Sequence, residues 1–252
     1  MSLGEILVAV TAVAVGTTLQ RVSGMGVGLV VAPVLSLLIG PVAGVWLTNA
    51  TTTVSAFVIW RAMRTGSDWR RLRTLLPCAV IGAVPAALVV RELPLAWLEI
   101  TVGSILVLGL LGTVLASAAD RLPPVRGPFA AGVAGAVGGF FNTTAGVAGP
   151  SLVMYSRLSR WPHPSFAASM QPTFLTMGVL SVVLKLGVGA APVSDLPQWW
   201  VVALLAGTVV AVVPLAGRLA ARVPAETARR LALTVAWAGA IATLLRGASR
   251  LL

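Results

Sequence analysis

Apolar positions in this chain do not alternate with polar ones at strand or surface-helix spacing. They run together, and polar residues collect in short breaks that carry Arg, Pro or Gly. The runs predict helices at 5–22, 25–39, 42–60, 74–91 and 95–118, and again at 128–142, 147–158, 164–186, 198–217 and 228–246. Most are long enough to cross the roughly 30 Å hydrocarbon core of a bilayer. The alternating strands of a membrane barrel are missing from the pattern, so backbone hydrogen bonds are expected to close within helices. No stretch is long and polar enough for a soluble domain, which places function within or beside the membrane.

Two segments, 25–39 and 147–158, are short against the roughly 20 residues a full crossing needs, so each is read as half of a hairpin with its predecessor. The breaks inside these hairpins are "QRVSGMGVG" (Gln20 to Gly28) and "FNTTAGVAGP" (Phe141 to Pro150). Slid against itself until Gly24 meets Gly146, the chain also sets Asn49 on Gln171 and Thr51 on Thr173. A slightly larger shift brings Pro85 to Pro214 and Pro94 to Pro224. The expected fold is an all-α polytopic membrane protein of two inverted-topology repeats, residues 1–120 and 121–252. Each repeat is a broken, re-entrant helical hairpin followed by three transmembrane helices. Three crossings is an odd number, so the second repeat enters the membrane upside down, as in carriers whose site lies near the midplane.

Composition agrees with a membrane protein. Of 252 residues 58% are hydrophobic and only 10% charged, with a mean hydropathy of +0.96, against about 25% charged in a soluble domain. A net charge of +11 could suit a nucleic acid, but the basic residues are scattered over interhelical loops without interleaved aromatics, so no nucleic-acid partner is expected. Topology accounts for them. With alternating crossings, Arg61, Arg64, Arg70, Arg71, Arg73, Arg121, Arg126, Arg157, Arg160, Arg218, Arg222, Arg229 and Arg230 fall at one end, and Arg91, Arg246 and Arg250 at the other. The positive-inside rule puts the first end in the cytoplasm and both termini outside it. The first 20 residues lack a basic leader and read as a retained segment. Cys78 and the pair Gly103 and Gly112 read as packing positions. Trp60, Trp69, Trp97, Trp161, Trp199 and Trp200 are expected at the membrane interfaces, and Lys185 is expected to snorkel to one.

The hairpin tips are the candidate site. Broken helices at membrane depth are tolerated only where protein or a water-filled cavity satisfies the freed backbone. The unpaired amides of the helices that start just after each tip favour an anion. Candidate substrate-binding residues are Arg21, Ser23, Gly24 and Gly26 at the first tip, and Asn142, Thr143, Thr144 and Gly146 at the second. Asn49, Thr52, Gln171 and Thr173 would join them from the helices that follow. A single Thr in a membrane helix more often bonds back to its own backbone, whereas the amides Asn49 and Gln171 are harder to dismiss. Arg21 has two readings: a deep charge, costing on the order of 3 kcal/mol and therefore functional, or a snorkelling one at the headgroups.

At "SGMGVGLVVAPVL" with "TNATTT", and at "NTTAGVAGPSLV" with "PHPSFAASMQPTF", the chain resembles the TauE/SafE sulfite exporter family, also called TSUP. The resemblance spans nearly the whole chain. It implies a secondary transporter in a bacterial inner membrane, moving small sulfur-containing anions such as sulfite or organosulfonates. An anion channel, or a carrier of other small organic anions, is the rival reading.

Enzymatic chemistry finds no support in the residues. The single His, His163, sits beside Pro162 and Pro164 without an acidic or Cys partner, so neither a catalytic residue nor a metal site is expected. "GMGVG" lacks the strand and acid of a dinucleotide site, there is no P-loop, and no cofactor is expected. The acids Glu5, Asp68, Glu92, Asp120, Asp195 and Glu226 fall at helix ends or in loops, and Glu99 lies one turn into its helix, so a midplane carboxylate relay is not expected. The partners expected are a small anion and the lipid bilayer, with assembly into a homo-oligomer left open.

Overall fold

The computed structural model describes residues 1–23, 27–63, 66–115, 122–220 and 225–252. They form ten helices: α1 (Leu3–Ser23), α2 (Val27–Ile39), α3 (Pro41–Met63), α4 (Trp69–Glu92), α5 (Leu95–Leu115), α6 (Pro128–Ala145), α7 (Gly149–Leu158), α8 (His163–Gly187), α9 (Trp199–Ala220) and α10 (Ala225–Ser249). No strand occurs among the described residues. Each apolar run of the sequence corresponds to one helix, with ends shifted by a few residues. The protein is an all-helical, multi-pass membrane protein.

Local chemistry fixes the ends. Asp68 Oδ1 accepts the Arg71 amide at 3.2 Å and caps α4. Proline stands in the first turn of α6, α7 and α8, where its missing N–H costs nothing. Inside α3 the hydroxyls of Thr48, Thr51 and Thr53 donate to the carbonyls of Gly44, Leu47 and Asn49, so these polar residues satisfy themselves in an apolar setting.

Among the described residues α1, α3, α4, α5, α8, α9 and α10 are long and apolar enough to cross a membrane. The other helices make up the hairpins. The amide of Val125, just before α6, donates to the Leu158 carbonyl at the end of α7 at 2.9 Å, so the α6–α7 hairpin enters and returns at one end of the bundle. That end also carries the arginine-rich loops. The α2 helix has 13 residues, about 20 Å, and α7 has 10, about 15 Å. They start from adjacent tips and run to opposite ends of the bundle.

Backbone-close packing holds the frame. A methyl added at Gly135 or Gly139 of α6 would collide with the Leu75 or Ala79 carbonyl of α4, and one at Gly82 of α4 with the Ala136 carbonyl. Small residues let these helices touch where no water-driven force operates. As α4 packs on α6 and α8, so α9 packs on α1 and α3; as α5 packs on α7, so α10 packs on α2. Gly103 lies against Leu244 of α10 as expected of a packing glycine, but Gly112 has open space.

Two expectations for surface residues fail. Trp161 is 5% exposed, edge-on to Tyr155 and Phe166 with the Arg71 guanidinium 4.8 Å over its ring, so it belongs to the core rather than to a lipid interface. Lys185 does not snorkel: it is fully buried, because α8 turns it into the bundle on the same face as Ser181 and Gly178.

Candidate functional site

The second tip is built by a glycine. Gly146 adopts a left-handed conformation (φ 75°) and its amide closes α6 on the Asn142 carbonyl at 2.9 Å. Three residues later α7 begins, with Ala148 at its N-cap and no side-chain capping bond, so its first amides point out of the tip uncapped. The first tip meets the second directly. Gly28, in the opening turn of α2, lies so close to the Gly146 carbonyl that any side chain there would overlap it.

Between the tips is a cavity of about 20 Å³ lined by Gln20, Gly28, Leu29, Thr52, Asn142, Gly146, Val147, Ala148, Gly149 and Phe174. Its volume suits about one water. The first turns of α2 and α7 both border it, so two helix N-termini share one small cavity.

Amides lock the two halves of the chain across this cavity. Asn49 Nδ2 donates to the Asn142 carbonyl (3.1 Å) and to Ser181 Oγ (2.9 Å), while Asn142 Nδ2 donates to Asn49 Oδ1 (2.9 Å) and to the Met177 carbonyl (3.0 Å). Both N–H bonds of each amide are thereby used. Gln20 Nε2 lies 3.3 Å from both Gln171 Oε1 and Ser55 Oγ. Asn49 and Gln171 thus lie beside the tips without lining the cavity, and Asn49 is placed to hold the second tip rather than to offer a spare donor.

The hydroxyls divide in two. Thr173 donates to the Ser169 carbonyl of its own helix, as an ordinary membrane threonine does. Thr52, Thr143 and Thr144 are at most 5% exposed, and among the described residues their hydroxyls have no partner. A buried hydroxyl without a partner costs free energy that a bound solute would recover. Thr52 lines the cavity; Thr143 and Thr144 lie in the last turn of α6 beside it.

Arg21 is half-buried in the last turn of α1, with its guanidinium Nε facing Gly217 of α9, and it is not among the cavity-lining residues. Ser23 closes α1. Its side chain, together with Gly24 and Gly26, lies outside the described residues.

A larger cavity, about 580 Å³, opens at the arginine-rich end between α4, α6 and α7. Arg70, Arg71, Arg126, Asp68, Tyr155 and Ser159 are among its lining residues. Arg71 is held there by Asp68 (3.1 Å) and by Ser159 Oγ (2.7 Å).

Two helices thus meet tip to tip, with an uncapped α7 N-terminus and with hydroxyls that have no partner among the described residues beside a small cavity. A model of the family described as sulfite exporter TauE/SafE matches residues 8–243. The chain belongs to the TauE/SafE family. TauE/SafE proteins are membrane transporters of sulfite and related sulfur anions, so a small anion is the solute and the bilayer the setting. Searches of curated proteins and of solved structures find no significant match.

Within this TauE/SafE chain, sequence reasoning passed over Gln20, Ser55, Ser181 and Lys185. Gln20 carried a signal, being an amide in an apolar run immediately before the glycine break. Ser181 carried none until α3 and α8 were seen side by side.

Proposed function

We propose that this protein is a secondary carrier that exports sulfite or a small organosulfonate by alternating access at the two tips. The observation that carries this reading is the small cavity between Gly28 and Gly146, bordered by two helix N-termini and by the Thr52 hydroxyl, which has no partner among the described residues. Uncapped amides and a hydroxyl without a partner among the described residues can donate to an oxyanion, and the two helix N-termini favour negative charge. A space of about 20 Å³ holds roughly one water, so an oxyanion enters only when the tips part. That favours an occluding carrier over a standing channel.

Residues 1–120 and 121–252 act as inverted repeats in this scheme. The matched neighbours support it: exchanging α1–α5 for α6–α10 turns the α4–α6 contact into α9–α1 and the α5–α7 contact into α10–α2. The arginine-rich end faces the cytoplasm of a bacterial cell across its inner membrane, with both termini outside. Arg70, Arg71 and Arg126 around the 580 Å³ cavity raise the local concentration of anions on the side from which export starts.

The test is flux in liposomes containing the purified protein, with labelled sulfite, C2 sulfonates and simple carboxylates compared. Saturable sulfur-anion flux with counterflow is the expected result. Flux that does not saturate means a channel, and flux of carboxylates alone removes the sulfur-anion assignment.

A further inference from the structure

Among the described residues, Lys185 is the one fully buried basic side chain, and the scheme above leaves it unused. It is 0% exposed, and among the described residues its Nζ has no partner. Burying an ammonium without compensation costs several kcal/mol, and an ionisable residue inside a membrane bundle is by default a marker of the solute path. The acids at this end of the molecule are committed elsewhere. Glu99 is paired with Arg246 and Arg250, Glu92 with Arg91 at the surface, exposed Asp195 accepts from Ser194, and exposed Glu5 accepts from the Ser2 amide.

Helix register supplies a second observation. The α3 and α8 helices run antiparallel, with Asn49 bonded to Ser181 and Thr53 standing over Gly178. Carried one turn away from the arginine-rich end, this register sets Trp46 level with Lys185. The Trp46 Nε1–H is also buried and has no acceptor among the described residues. One charged and one neutral N–H donor thus share a level with no acceptor for either, which complements an oxyanion and repels a cation.

We propose that Lys185 and Trp46 form a second anion subsite, one helical turn beyond the Asn49–Ser181 contact on the side of the chain termini. The subsite takes the oxyanion as it passes between the tip cavity and that face of the membrane. The Asn49–Ser181 hydrogen bond is the partition between the two positions. This inference rests on the reading of the solute as an anion, but not on its being a sulfur anion.

The experiment uses the full-length purified protein under anaerobic conditions. Thermal stability is measured without anion and with sulfite, chloride or acetate, and sulfite flux is measured in liposomes. Lys185→Met removes the charge at nearly constant length; the anion-free protein is expected to be as stable as wild type or more so, while sulfite binding weakens about tenfold to a hundredfold. Lys185→Arg keeps most of the binding, and Trp46→Phe, which deletes one neutral donor, weakens it a few-fold. Wild-type sulfite affinity in both Lys185→Met and Trp46→Phe overturns the subsite. So does a Lys185→Met protein that is less stable without anion, since the lysine would then be a structural partner. If chloride or acetate stabilises wild type but not Lys185→Met while sulfite does neither, the subsite stands and the sulfur-anion assignment falls. If no anion affects wild type, both fall.

Discussion

Two helix contacts near the termini end treat buried charge in opposite ways. Where α5 meets α10, Glu99 is 2% exposed and lies 3.2 Å from Arg246 Nε and 3.0 Å from Arg250 Nε; the second is an ion pair without the geometry of a hydrogen bond. Arg246 also donates to the Leu37 carbonyl at 2.7 Å, tying in the end of α2. On α8, Lys185 is buried just as deeply and has no counter-charge among the described residues. The first contact closes on itself and fastens the frame. The second stays incomplete, as do the Thr52, Thr143 and Thr144 hydroxyls at the tips among the described residues, and in the proposed scheme an anion would complete it.

Substitutions should therefore separate stability from affinity according to which contact they touch. The largest effect is expected from the pair Arg246→Ala and Arg250→Ala together, which strands the Glu99 carboxylate. The cost is about 3 kcal/mol, at the low end for a broken buried pair because the arginines are 37% and 40% exposed and water can follow when they leave. Unfolding in an SDS titration measures it, and sulfite affinity of the folded fraction should not change. A fall in affinity instead would mean that the frame and the site are not separate.

Gly28→Ala comes next. Its methyl has no room against the Gly146 carbonyl, so the tips must part at a cost of about 1–3 kcal/mol, with loss of sulfite counterflow. Asn49→Leu removes one of the two bonds that the Asn142 side-chain amide donates and one of the two that the Asn142 carbonyl accepts, and leaves Ser181 Oγ without its donor. Stability should fall by about 1–2 kcal/mol, with a larger proportional fall in flux. Unchanged flux in that variant would show that the second tip needs no support from α3. The smallest structural effect belongs to Thr52→Val. Deleting an unpaired buried hydroxyl should leave stability unchanged or slightly higher, yet raise the sulfite KM a few-fold. Thr173→Val, whose hydroxyl serves its own helix, is the matched control and should leave KM alone.

Much of this could be read in the sequence because membrane helices are specified by local apolar runs. Segments 128–142 and 147–158 and the break between them appear as α6, α7 and the Gly146 cap, since a glycine needed at positive φ is a local signal. The site was harder to read. Thr52 and Thr173 look alike in sequence, but one hydroxyl is free and the other donates to its own helix. Trp161 and Lys185 were expected at the lipid boundary and lie in the core, because residue type gives depth along a helix poorly and the facing direction not at all.

The sequence by itself determined that the chain lives in a membrane, where its helices start and stop, which short helices make hairpins, and to which family it belongs. Those properties depend on apolar length, proline and glycine, each acting within a few residues of itself. Only the tertiary structure decided that Gly28 would meet Gly146, that Asn49 would spend both its N–H bonds on α6 and α8, and that, among the described residues, Glu99 would be paired and Lys185 not. Pairing depends on which faces of distant helices come together, and a side chain's partner is set by that meeting and not by its neighbours in the chain.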